Sequence, residues 1–340
     1  MNARHVRLIL SVMLIAALAL GLVPLAGAQE GPAITVDFAM HEGNPVLAPG
    51  APGTWDSMVV SEPRVIHHDG LFHMFFYGGD NPEAPTGIGY ATSPDGIVWT
   101  EYEGNPVFTP EMAGTPGVRS EVTYFDGEQW VMLFNPGEGW DAADNYLRAT
   151  APAPTGPWTA EPGTVLTAGS ETEWDTGPFS VESIVSTEDG YSLYYGPMNN
   201  PAFGMATSTD GITWTKVDDP ETAESPYAAS DPVFAVVNAG SWAQTWIGAP
   251  AVRHHAQGYD MFFTGTNDFA TSGIGYAYSD DGITWAVLQE EAALVDSKNL
   301  AVVSSALEVD GTVYVYYIEW DILAGVPYGI GVVTGTVTWE

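Results

Sequence analysis

The chain has 340 residues, carries 43 acidic against 8 basic side chains for a formal charge of −35, and contains no cysteine. So acidic a protein is a poor partner for nucleic acid or an anionic membrane, and without cysteine no disulfide can brace it. A hydrophobic fraction of 45% and an aromatic fraction of 12% exclude a disordered polyanion and leave a core large enough to hold a fold by itself.

Residues 1–28 read as a secretory signal peptide. Arg4 and Arg7 precede an apolar run from Leu8 to Leu22, and Ala26-Gly27-Ala28 offers small residues for cleavage. The expectation is an exported protein, extracellular or periplasmic, with no membrane insertion after cleavage, acting as a monomer. Removal of that segment leaves Arg64, Arg119, Arg148, Lys216, Arg253 and Lys298 as the whole basic complement.

From residue 29 to 340 the sequence reads as one domain. Ile34-Thr35-Val36-Asp37-Phe38 forms a first strand, followed by Gly43-Asn44-Pro45-Val46, which returns as Gly104-Asn105-Pro106-Val107. The organising motif is Ser93-Pro94-Asp95-Gly96-Ile97-Val98-Trp99. It recurs as Ser208-Thr209-Asp210-Gly211-Ile212-Thr213-Trp214 and Ser279-Asp280-Asp281-Gly282-Ile283-Thr284-Trp285, with weaker copies ending at Trp158 and Trp339. An Asp carboxylate collects the backbone N–H groups of a turn and Gly supplies positive φ, so the reversal is encoded locally. The tryptophan starts the returning strand and is expected to pack, with its N–H bonded. The five tryptophans lie 54 to 71 residues apart, the length of a unit of four short strands. No helical period is sustained. The fold class is therefore all-β, a five-bladed β-propeller of four-stranded antiparallel blades. The N-terminal strand resembles the last strand of a blade and could close the ring, a place for which the stretch around Trp339 competes.

Propeller ligands collect where the inner strands begin. Counting eight residues back from the turn glycine gives Glu62 in the first blade, Arg119 in the second and Glu182 in the third, with Glu121 two positions on from Arg119. Arg64, Arg119 and Arg253 supply positive charge on inner strands, and Trp55, Trp174 and Trp246 could stack on sugar faces, although Trp55-Asp56 and Trp174-Asp175 also read as structural turns. Each glutamate has a second reading, an ion pair with Arg64 or Arg119. The adjacent pairs His67-His68 and His254-His255 point their rings to opposite faces, which argues against a metal site.

The unit order, the Ser-x-Asp-Gly-x-x-Trp hairpins and an acidic residue before Pro63 resemble the five-bladed glycoside hydrolases of families 43, 32, 68 and 130. The resemblance implies hydrolysis of an extracellular oligo- or polysaccharide, with Glu62 as base or nucleophile, Glu121 as modulating carboxylate and Glu182 as proton donor. Those families usually carry Asp at the first two places. The resemblance requires no organic cofactor, and a structural Ca2+ on the axis would be compatible with such a ring. Two other readings fit the same residues. One is a non-catalytic propeller that binds carbohydrate or protein. The other is a sialidase-like enzyme in which the arginines clamp an anionic sugar.

Overall fold

The computed structural model describes residues 33–339 apart from 82–86, 139–141, 199, 268–271, 289–291, 293, 297–299 and 322–325. The expected signal peptide and Lys298 lie outside the described residues.

Strand β1 (Ile34–Met40) is followed by blade I, which holds β2 (Val59–His68), β3 (Leu71–Gly79), β4 (Gly87–Ser93) and β5 (Thr100–Glu101). A four-residue helix, α1 (Pro110–Ala113), leads into blade II with β6 (Arg119–Phe125), β7 (Trp130–Asn135), β8 (Asn145–Ala151) and β9 (Thr159–Thr167). Blade III has β10 (Phe179–Thr187), β11 (Gly190–Pro197), β12 (Ala202–Ser208), β13 (Thr215–Lys216) and β14 (Pro232–Ala235). Blade IV has β15 (Trp246–His255), β16 (Gly258–Thr266), β17 (Ser272–Ser279), β18 (Ala286–Val287) and β19 (Leu294–Asp296). Blade V consists of β20 (Leu300–Val309), β21 (Thr312–Asp321) and β22 (Val326–Trp339), completed by β1.

The N-terminal strand closes the ring, pairing from Ile34 opposite Trp339 to Met40 opposite Val333. Trp339 does not compete for this place, because it ends the third strand of blade V. The repeated Gly-Asn-Pro-Val motif explains the fit. Asn105 bonds both the N–H and the C=O of Tyr90 on β4, at 2.9 and 3.0 Å. Asn44 does the same for Val332 on β22, at 2.9 Å each. The side-chain amide thus stands in for a strand backbone at the blade's outer edge.

Each Asp-box hairpin is built as its residues require. Asp95 Oδ1 accepts the N–H groups of Ile97 and Val98, and Ser93 Oγ accepts those of Asp95 and Gly96. Asp210 and Asp281 repeat the arrangement. The tryptophan that follows packs on the preceding blade: Trp99 on Tyr316 of blade V, Trp158 on Phe75 of blade I, Trp285 on Tyr194 of blade III and Trp339 on Tyr278 of blade IV. Trp158 and Trp285 donate to backbone carbonyls within their own turns, whereas Trp99 and Trp214 keep buried N–H groups with no bond among the described residues. Five apolar clusters result, one at each junction between neighbouring blades. Burial of these rings is the main stabilising term, and it makes the ring one cooperative core.

Candidate functional site

All five inner strands carry one extra residue near their starts. The ladder skips between Ser61 and Arg64, Arg119 and Val122, Val181 and Ser183, Gly248 and Ala251, and Val303 and Ser305. A bulge frees backbone groups and re-aims side chains. The residues so re-aimed include Glu62 and Glu182. The register also corrects the count from the turn glycine. Gly190 is paired within its strand opposite Thr187, whereas Gly70 sits in the turn, so the blade III count is one residue out of step. Glu182 and Glu121 occupy matching places next to Ser183 and Val122, and Glu62 stands one residue earlier relative to Arg64.

Glu62 has φ 49° and its blade IV counterpart Ala249 has φ 51°, both in the left-handed region and both before proline. Such a conformation costs a non-glycine residue on the order of 1–3 kcal/mol. Because Ala249 bears no chemistry, the strain belongs to the bulge and not to the carboxylate. What distinguishes blade I is that its bulge carries an acid.

The structure brings Glu62, Arg64, Arg119 and Glu182 together. Arg119 Nη2 lies 3.4 Å from Glu62 Oε1, and Arg64 Nη2 lies 3.3 Å from Glu182 Oε2. Both arginine side chains are buried, while each glutamate side chain keeps 15% of its surface open. Arg64 also donates through Nη1 to the carbonyl of Ser304 in blade V. Reaching from blade I to blades III and V, it crosses the axis. Arg64, Glu182 and Ser304 line the axial cavity of about 190 Å³, together with Tyr124 and Ile66.

Two further residues complete the cluster. Ser180 donates its hydroxyl to Glu182 Oε1, fixing the second carboxylate oxygen. Tyr146 on β8 is fully buried, and its phenolic oxygen accepts the Val181 N–H at 2.8 Å. Burial holds this phenol far above its ordinary ionisation range, Glu182 and Glu62 push it the same way, and Arg119 opposes them. Neither residue was a sequence candidate: the bulge between Val181 and Ser183 breaks the strand parity that would link Ser180 to Glu182, and nothing in the sequence marks Tyr146.

The remaining candidates separate. The backbone of Glu121 lies in the blade II bulge, and its side chain is outside the described set. Arg253 is buried at the other end of its strand, where Nε bonds Asp260 Oδ1 at 2.9 Å and Nη1 bonds Glu308 at 3.1 Å. It ties blade IV to blade V, away from the glutamates. Trp55 rests on Phe76, and Trp174 is buried on Tyr195 with its N–H bonded to the carbonyl of Ser230 at 2.8 Å. Both are packing residues of the structural turns. Trp246, partly exposed at the start of β15, leans over Gly248 beside the bulge face, because a Cβ on Gly248 would meet its ring at 2.1 Å. Among the described residues no group of three or more His, Asp or Glu side chains is arranged to hold a metal.

The fold is a five-bladed β-propeller, and solved structures of the same fold include glycoside hydrolases and a phosphorylase. A glycosyl hydrolase from Bacteroides ovatus superposes with a TM-score of 0.64 at 17% identity, over 88% of this chain and 94% of that one. The β-1,2-mannobiose phosphorylase from Listeria innocua superposes with a TM-score of 0.60 at 13% identity, over 88% and 97%. A thermostable family-43 glycoside hydrolase gives 0.58 at 16% identity, over 86% and 92%. No family model matches the sequence, and no curated protein matches it.

Proposed function

We propose that the protein is an exported carbohydrate-active enzyme that cleaves glycosidic bonds at the bulge face of the propeller. The observation that carries this reading is a pair of partly open glutamates, Glu62 and Glu182, each held by a buried arginine from another inner strand. Glu182 protonates the departing glycosidic oxygen, and Glu62 activates the group that attacks the anomeric carbon. Arg64 and Arg119 hold the two carboxylates apart from one another until a sugar displaces them. Glu121 would tune the pair, and Trp246 offers a ring on which a sugar face can stack. A carboxylic acid must hold its proton to donate it, and a neighbouring guanidinium favours the carboxylate. Substrate binding therefore has to loosen the Arg64–Glu182 contact.

That same contact favours a second reading, a propeller that binds a glycan without turning it over, with the glutamates locked as ion pairs. Release of reducing sugar from arabinan, xylan, fructan, mannan and sialylated substrates, with and without inorganic phosphate, separates the two. The enzyme reading expects turnover on one polymer class and a loss of about 10²–10⁴-fold in Glu182→Gln with folding intact. A phosphate requirement would identify phosphorolysis as the reaction, with the arginines receiving the anion. Glycan binding without turnover would leave the binding propeller.

A further inference from the structure

Away from the axis, blades I, III and IV each place a tryptophan turn before the inner strand, as Trp55-Asp56, Trp174-Asp175 and Trp242-Ala243. The three indoles rest on equivalent rings, Phe76, Tyr195 and Phe263, at 5.8, 6.0 and 5.7 Å. Asp56 and Asp175 are only 2% and 1% exposed. Gly50 and Gly169 cover them, donating to the aspartate carbonyls at 3.4 and 3.1 Å. A Cβ on either glycine would come within 2.4 and 2.1 Å of the carboxylate, so both cradles are closed to the same degree.

The two cradles differ in what meets the buried charge. Asp175 Oδ2 accepts the Tyr195 hydroxyl at 3.0 Å and the Lys216 ammonium. In blade I the place of Tyr195 is taken by Phe76, which has no donor. The place of Lys216, opposite Ala206, is taken by Glu101, opposite Ala91. Asp56 Oδ1 receives the Thr54 hydroxyl at 2.7 Å, while Oδ2 is buried with no hydrogen-bond donor among the described residues; Asp175 also keeps one such oxygen, Oδ1, so the cradles differ in the cation that meets Oδ2. Blade IV avoids the problem with Ala243 and Val287, which carry no charge. Blade III is neutral through its lysine. Of the three cradles, blade I alone carries two carboxylates, and none of the described ion pairs involves Asp56 or Glu101.

We infer that blade I holds a hard divalent cation of the calcium class between Asp56 Oδ2 and the Glu101 carboxylate, in the position that the Lys216 ammonium fills in blade III. An all-oxygen donor set selects calcium over zinc or copper. Two carboxylates balance a charge of two, Thr54 Oγ1 adjoins the site, and the partial exposure of Glu101 admits water ligands. With so few protein ligands the affinity falls with the weak extracellular sites, on the order of 10⁻⁴–10⁻³ M.

The test is thermal melting of the chelator-treated protein at pH 8 with millimolar calcium, against magnesium at equal ionic strength, alongside terbium luminescence excited through Trp55. The wild type is expected to melt higher with calcium and to give saturable terbium emission. Glu101→Lys copies blade III, and is expected to melt higher than the wild type without calcium and to lose both responses. Glu101→Gln checks the charge without adding a cation, and Asp56→Asn removes the buried ligand. Equal calcium responses in the wild type and Glu101→Lys would put the ion elsewhere on the acidic surface and overturn the inference. No response in the wild type would do the same, leaving the pair to share a proton.

Discussion

Blades I and III follow one backbone plan and solve one electrostatic problem in different ways. Both bury an aspartate beneath a tryptophan turn and a glycine, and both point a glutamate into the axial cluster. Blade III meets the aspartate's charge with Lys216 and Tyr195, both at Asp175 Oδ2. Blade I has Glu101 and Phe76 at those places, so the same cradle is left with an excess of negative charge. The propeller repeat fixes where a buried group lies, and a single side chain on a two-residue outer strand fixes whether its charge is met.

The largest effect that would break this comparison is expected in Lys216→Ala. Removing one partner of a buried ion pair typically costs about 3–5 kcal/mol, because the other charge stays buried. The equivalent change in blade I, Glu101→Ala, removes a repulsion and is expected to leave stability unchanged or raise it in calcium-free buffer. Urea unfolding of the two variants reads the opposite signs directly, and equal losses would show that the two cradles are not electrostatic opposites.

Next in size is the tryptophan of the blade III turn. Trp174→Ala opens a cavity under Tyr195 and leaves Ser230 without its donor, for a cost of about 3–5 kcal/mol. Trp246→Ala, at the bulge face, is expected to destabilise far less and to weaken saccharide binding instead. Melting curves beside a glycan-binding titration distinguish a packing ring from a stacking ring.

The smallest effect concerns the hairpins that the blades share. The N–H groups of Val98 and Ile97 hold the Asp95 carboxyl below its ordinary value of 3.8, and those of Thr213 and Ile212 do so for Asp210. A depressed folded pKa gives stability that is present above the unfolded value and lost as pH falls through the folded one. Asp95→Asn should therefore flatten the fall in melting temperature between about pH 4 and pH 2 without changing its direction. An unchanged acid profile would mean that the box carboxylates contribute nothing to acid sensitivity.

The blades and their hairpins were legible because each turn is written in adjacent residues. Ser93, Asp95 and Gly96 satisfy one another's backbone groups within a few positions, and Asn44 and Asn105 repeat one edge-capping device. The inner-strand bulges were not legible. One extra residue leaves no signature beyond the prolines after Glu62 and Ala249. The count that aligned Glu182 with Glu62 failed for a separate reason, since Gly190 is paired in its strand while Gly70 lies in the turn. Arg253 shows the same limit. Its strand and charge matched those of Arg64, yet Asp260 on the adjacent strand claims it.

The sequence by itself determined an all-β ring of five units, because hairpin chemistry and the packing of the following tryptophan act over short stretches of chain. Only the tertiary structure decided which acid meets which base. Glu62 and Arg119 are 57 residues apart, and Arg64 and Glu182 are 118 apart. Such partners are chosen by where the closed ring brings the inner strands together, a condition that no local stretch contains.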